Sequence, residues 1–100
     1  MPADDRVQLR NPDPSKKMPR IAKHTYALAH RTVHAIVPRD APGITLKDYL
    51  DQMATQLPKA EGWDPSLSAS WLAMAIKLDL EARGKLRRIN ARPPQRIVRV

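Results

Sequence analysis

The 100-residue sequence predicts one α+β domain, mainly α, in which three helices are followed by a C-terminal two-stranded β-hairpin. Three observations support this fold class. Apolar residues recur at helical spacing in three stretches, a proline or glycine closes each stretch, and the C-terminal residues alternate branched apolar side chains with arginines around two prolines. A chain of this length has room for a single hydrophobic core.

The first twenty residues are predicted to be an N-terminal arm, which precedes a domain over residues 21–100. Each proline in this segment lacks an amide donor and biases the preceding residue towards extended backbone. The four prolines are Pro2, Pro12, Pro14 and Pro19. Residues 7–9 are a candidate short strand, for which pairing with the C-terminal strands is one arrangement.

The first predicted helix covers about residues 22–37, where Tyr26, Ala29 and Val33 share one face. His30 and His34 lie one helical turn apart, a spacing that two ligands of a metal ion can have. No cysteine and no nearby carboxylate pattern supplies further ligands. We therefore expect histidines that are exposed or face a partner, with no metal and no cofactor.

The second predicted helix covers about residues 46–57. Thr45 is a natural N-cap, and Asp48 is positioned as its capping partner. Ile44 and Tyr49 have the spacing of a hydrophobic staple around this cap. In the loop that follows, we expect Trp63 to anchor the chain to the core, because a buried indole removes a large apolar area from water.

The third predicted helix covers about residues 68–83, with Ser68 as its cap and Gly84 as a left-handed C-terminal stop. Most of its residues are apolar, which predicts a helix that is buried on two sides or meets a partner. A narrow stripe is predicted to face outward. Its members are Ser70, Ala73, Lys77 and Glu81.

The C-terminal tract, about residues 85–100, is the predicted hairpin and carries most of the excess positive charge. The chain has 18 Lys and Arg against 10 Asp and Glu, a net charge of +8. From residue 83 onward there are seven basic side chains and no acidic one: Arg83, Lys85, Arg87, Arg88, Arg92, Arg96 and Arg99. Such a tract favours an anionic partner, although a merely solvated basic surface is the alternative.

Composition argues against several other classes. The absence of cysteine excludes disulfides and thiolate sites, and no long apolar run or signal-peptide pattern occurs, so we expect a cytoplasmic protein without a membrane span. Nucleotide-binding and hydrolase motifs are missing. Acidic pairs such as Asp79 and Glu81 are better explained as helix-surface charges. We therefore expect no enzyme activity.

The order of elements resembles a winged helix-turn-helix domain over residues 22–100. Three stretches also resemble a group of small, uncharacterised bacterial winged-helix proteins: Gly43 to Thr45, Leu78 to Gly84, and Pro94 to Arg96. The resemblance implies that the third helix enters a major groove and that the hairpin is a wing against the backbone. It thereby assigns Ser68, Ser70 and Lys77 to the helix face, and assigns the wing residues Arg87, Arg88, Arg92 and Arg96 to phosphate contacts.

Only Lys77 among the helix residues is a type that reads base edges well. We therefore expect binding to double-stranded DNA that is directed mainly at the backbone, with weak base specificity and with a homodimer as one arrangement. The alternative is a winged-helix protein-interaction or dimerisation module without nucleic acid, which Trp63 and Trp71 favour. RNA stays open as a partner, although only four aromatic residues are available for stacking.

Overall fold

The structure, a computed structural model, describes residues 5–89 and 92–100. Residues 1–4 of the predicted arm and residues 90 and 91 of the predicted hairpin lie outside the described residues. The described part is a small α+β domain with three helices and two sheets. Its elements are β1 (Arg6–Gln8), β2 (Arg20–Ala22), α1 (Lys23–Ile36), β3 (Ile44–Thr45), α2 (Leu46–Gln56), a 3-10 turn (Leu57–Lys59), α3 (Ala69–Ala82), β4 (Leu86–Arg88) and β5 (Arg96–Arg99).

The three helices begin and end within one residue of the predicted ranges, and capping side chains account for the starts of α2 and α3. Thr45 Oγ1 accepts a hydrogen bond from the Asp48 amide at 3.1 Å, and Ser68 Oγ accepts one from the Trp71 amide at 3.1 Å. Each side chain thus satisfies an amide that the first helical turn leaves without a partner. Gly84 follows α3 with a φ of 74°, as a left-handed stop requires.

The core lies between the three helices and the inner faces of both sheets. Tyr49 on α2 is fully buried, and its hydroxyl donates a 2.7 Å hydrogen bond to the Ala73 carbonyl on α3. Val33, Met53 and Ile76 are fully buried around it. Burial raises the pKa of Tyr49, because the phenolate would lose its hydration there. Trp63 packs half-buried against this core from its loop.

The first sheet precedes α1 and consists of β1 and β2, paired antiparallel with Val7 opposite Ile21. The candidate strand exists as β1, but it does not adopt the suggested pairing with the C-terminal strands, because the chain folds back after Leu9 and supplies its own partner strand. Leu9 itself is 2% exposed and belongs to the core. The segment before α1 therefore packs on the same core as the helices.

The second sheet has the order β3-β5-β4, so the predicted two-stranded hairpin is part of a three-stranded sheet. β4 and β5 pair antiparallel, and β3 adds to the other edge of β5 with Ile44 opposite Ile97. Gly43 makes this close approach feasible, because it has a φ of 72° and a Cβ there would lie 2.4 Å from the Ile97 carbonyl oxygen.

Candidate nucleic-acid interface

The basic hairpin, meaning β4, β5 and the connection between them, carries two arginines on one strand face. Arg87 lies opposite Val98 on the neighbouring strand. Arg96 lies two residues before Val98, and side chains two residues apart on a strand share a face. Arg87, Arg96 and Val98 therefore share one side of the sheet, opposite to Leu86 and Ile97; Val98 is buried at 2% exposure, Arg96 is half-buried and Arg87 is exposed. Arg92 is exposed in the connection.

Arg88 points to the other side of the sheet, where an acidic residue of α3 holds it. Its Nε lies 3.0 Å from Glu81 Oε2. The other oxygen of the same carboxylate pairs with Lys77, and both of those side chains are nearly buried, at 4% exposure for Lys77 and 9% for Glu81. The predicted phosphate contact Arg88 is thus engaged in fixing β4 to α3, although its side chain remains 47% exposed.

Arg99 fixes the other strand of the hairpin to the end of α1. Its Nε donates to the Val37 carbonyl at 2.7 Å, and its Nη1 lies 3.2 Å from His34 Nδ1. Since arginine has donors only, His34 Nδ1 is the acceptor in this contact. Together with Arg88, this contact sets the orientation of the basic hairpin relative to the helices.

Some positively charged side chains of the C-terminal tract, such as Arg88 and Arg99, therefore already have partners within the protein. Within residues 5–89 and 92–100, no hydrogen bond or ion pair engages the side chains of Lys85, Arg87, Arg92 and Arg96. Of the four predicted wing contacts, Arg87, Arg92 and Arg96 retain guanidinium groups that are available to an anion, and only Arg87 and Arg96 share a strand face.

The predicted outward stripe of α3 is wrong for three of its four members, since only Ser70 is exposed. Ala73 is fully buried, Lys77 is 3% exposed and Glu81 is nearly buried. The physical reason is that Lys77 and Glu81 neutralise each other one helical turn apart, which allows both to enter the interior under β4. The Lys77 ammonium group is therefore paired inside the fold and is not presented on the helix surface.

The exposed surface of α3 is apolar instead. Trp71 is 43% exposed and Met74 is 36% exposed, while Leu78, one turn further on, is half-buried. We call these three residues the apolar α3 face. Ser68 and Ser70 are exposed near its start, but the Ser68 hydroxyl already serves as the helix cap. This surface offers no cation to a phosphate and one free hydroxyl to a base edge.

Asp79, predicted to be a helix-surface charge, is fully buried. It accepts hydrogen bonds from the Arg10 amide at 2.8 Å, from Tyr26 Oη at 2.6 Å and from Arg83 Nε at 2.9 Å. The Arg83 guanidinium also lies 5.5 Å from the centre of the Tyr26 ring. We call Asp79, Tyr26, Arg83 and the Arg10 amide the Asp79 cluster; it joins the segment before β2 to α1 and α3.

The Asp79 cluster perturbs the chemistry of its tyrosine. Burial, followed by the hydrogen bond to Asp79 and the negative charge of that carboxylate, raises the pKa of Tyr26 to about 12. Tyr26 is therefore a firmly protonated donor and not a base at neutral pH. The cluster was not predicted from the sequence; the one local signal that could have indicated part of it is the spacing of Asp79 and Arg83, which is that of a helical ion pair.

The histidines of α1 form a stacked pair. The rings of His30 and His34 are 4.9 Å apart, and burial, with a contribution from the neighbouring His34 and Lys85, lowers the pKa of His30. Among residues 5–89 and 92–100, no group of three or more His, Cys, Asp or Glu side chains could hold a metal ion. In the same part of the chain, no helix is long and apolar enough to cross a membrane.

These observations define a small α+β protein whose three helices carry a basic antiparallel hairpin. The chain belongs to a family of unknown function, DUF6958, which it matches over residues 6–97. A comparison with curated proteins and one with solved structures each gave no match.

Proposed function

We propose that the protein is a winged-helix protein that binds the phosphate backbone of double-stranded DNA through its basic hairpin. The observation that carries the proposal is the pair Arg87 and Arg96 on one strand face, with Arg92 exposed in the connection between the strands. Three helices that lead through Gly84 into an antiparallel hairpin are the arrangement in which a wing contacts the backbone. Guanidinium groups are well suited to phosphate oxygens, because they donate in a planar fork.

The same geometry favours binding with little sequence preference. Base reading requires side chains such as Arg, Lys, Asn or Gln on the groove-entering element. The apolar α3 face has none of these, and Lys77 is buried against Glu81. Affinity that comes from phosphate neutralisation depends on charge and falls steeply with salt.

The experiment compares two double variants that each remove two positive charges. Arg87→Ala with Arg96→Ala removes the proposed contacts, whereas Arg31→Ala with Arg39→Ala removes exposed arginines from α1 and from the loop after it. Duplex affinity is measured by fluorescence anisotropy between about 50 and 200 mM salt on two unrelated sequences. We expect the hairpin variant to lower the slope of log affinity against log salt by about two, equally on both sequences. No binding by the wild type at low salt, or equal losses in the two variants, would refute the proposal.

A second candidate function, dimerisation, is favoured by the exposure of Trp71 and Met74. Monomeric proteins usually bury such side chains, and aromatic and methionine residues are enriched in interface centres. The partner we propose is a second copy of this chain, because residues 65–76 contain no charge and two copies would meet there without like-charge repulsion. Light scattering over a range of concentrations tests this candidate. A dimer that Trp71→Ala dissociates supports it, and a monomer at every concentration excludes it.

A further inference from the structure

A second basic feature lies at the opposite end of the chain, in the segment that the sequence presented as an arm. The reversal between β1 and β2 forms a cleft of about 550 Å³ against the C-terminal end of α3. Arg10, Lys16 and Lys17 line this cleft, together with the amide of Asn11, and Ala82 of α3 closes one side. We call it the N-terminal cleft.

The N-terminal cleft is held in shape by the backbone around it. The Leu9 amide donates to the Pro19 carbonyl at 3.2 Å, and Gln8 Nε2 donates to the Met18 carbonyl at 2.6 Å. The Arg10 amide is fixed to buried Asp79 at 2.8 Å. The three cations therefore extend from a loop that is closed at its base and anchored to α3, and an anion would not have to order that loop on binding.

The charges that line the N-terminal cleft have no counterpart in its described walls. No acidic side chain lines it. Asp13 belongs to the same loop but does not line the cleft, and its carboxylate accepts from the Ser15 amide and hydroxyl at 3.0 and 2.7 Å; Asp79 is paired with Arg83. The three positive charges exceed the single negative charge of Asp13 in this loop, and an anion with several oxygens relieves the remaining repulsion between the cations.

We infer that the N-terminal cleft binds a phosphate group. Arginine and two lysines can neutralise a doubly charged phosphate, and the Asn11 amide adds a neutral polar group. The cleft is larger than a phosphate ion and falls in the size range of ligand pockets, so the group belongs to a larger molecule. That molecule is a nucleic-acid backbone or a free phosphorylated compound. The inference does not depend on the basic hairpin, because it uses none of the same residues.

The test again uses two double variants of equal charge. Lys16→Ala with Lys17→Ala changes the cleft, and Lys23→Ala with Lys59→Ala removes two exposed lysines elsewhere. All four side chains are exposed, so both variants should fold, which a thermal melt checks. Amide NMR spectra follow a titration with inorganic phosphate at constant ionic strength against chloride. Anisotropy follows duplex DNA in the same buffers.

We expect phosphate to shift the amide signals of Arg10, Lys16 and Lys17 in the wild type. The two proteins are compared on shifting signals outside the mutated loop. On these signals the cleft variant should need at least roughly fivefold more phosphate to reach the midpoint of the titration. If the duplex is the source, the cleft variant alone also lowers the salt slope by about two. If only the phosphate titration separates the variants, the ligand is a free phosphorylated compound. The inference fails if the cleft and control variants behave alike in both measurements. That result would leave the hairpin proposal standing, whereas a failure of the Arg87 and Arg96 variant would leave the cleft standing.

Discussion

Asp79→Ala removes the carboxylate that joins three separate parts of the chain. Fully buried Asp79 accepts from the Arg10 amide at 2.8 Å, from Tyr26 Oη at 2.6 Å and from Arg83 Nε at 2.9 Å. A hydrogen bond to a charged group contributes about 1.5–3 kcal/mol. The Arg83 pair counts for less, because that side chain is 27% exposed and water can replace part of the interaction. We therefore expect the free energy of unfolding to fall by about 3–5 kcal/mol.

The assay is urea unfolding with helical circular dichroism, with Asp51→Ala as the matched control. Asp51 forms the same type of helical ion pair with Lys47 at 3.0 Å, but those side chains are 66% and 82% exposed. The control should lose much less stability, because water competes for an exposed ion pair. The thermal midpoint of Asp79→Ala should fall by at least about 12 °C, with little change for Asp51→Ala. If the two variants lose the same stability, the reasoning that burial makes Asp79 a structural anchor is wrong.

Three further predictions concern local structure. Thr45→Ala and Ser68→Ala should each lower stability by about 1 kcal/mol through loss of a helix cap, and an unchanged urea midpoint would contradict the capping role. Gly43→Ala should lower the free energy of unfolding more than Gly84→Ala does. Both positions have positive φ, but only at residue 43 would the added Cβ meet a carbonyl oxygen. Equal urea midpoints for the two variants would contradict this expectation. The pKa of His30 lies below 6.5 in the folded protein, so the unfolded chain takes up the proton first as pH falls. Stability should therefore decline as pH falls below about 6.5, and His30→Gln should flatten that part of a pH series of urea midpoints, whereas an unchanged slope would exclude His30 as the cause.

The helices were predictable because their signals are local. Thr45, Ser68 and Gly84 each report on the backbone of their own turn, and proline ends α2 without help from the rest of the fold. Such signals depend on hydrogen bonds between residues three or four apart. They can therefore be recognised from the sequence without knowledge of the tertiary structure.

The orientation of α3 was not predictable in the same way. Most of its residues are apolar, so periodicity gives little contrast between its faces, and charged residues were assigned to the outside by default. Lys77 and Glu81 contradict that rule because each neutralises the other. Arg88 from β4 forms a second ion pair with Glu81. Trp71 is exposed because Leu72, Ala73 and Ile76 already occupy the buried side of the helix.

The first sheet escaped prediction because its second strand is short and runs directly into α1. Arg20–Ala22 precedes Lys23 without a turn, so the sequence there resembles the start of the helix. The contacts that hold β1 are distant in sequence, such as the Arg83 guanidinium bound to the Gln8 carbonyl at 3.1 Å. No local pattern encodes a partner 75 residues away.

The order of the second sheet also has a consequence for how the protein folds. β5 comes after every other described element in the sequence, yet it lies in the centre of the sheet, between β3 and β4. Neither of those strands has a backbone partner until residues 96–99 are in place, so the sheet cannot form progressively during synthesis. Its closure brings together residues about fifty positions apart, as Ile44 and Ile97 are, and such distant pairings slow folding. We expect the helices to gather first and the basic hairpin to acquire its shape last, in a single cooperative step.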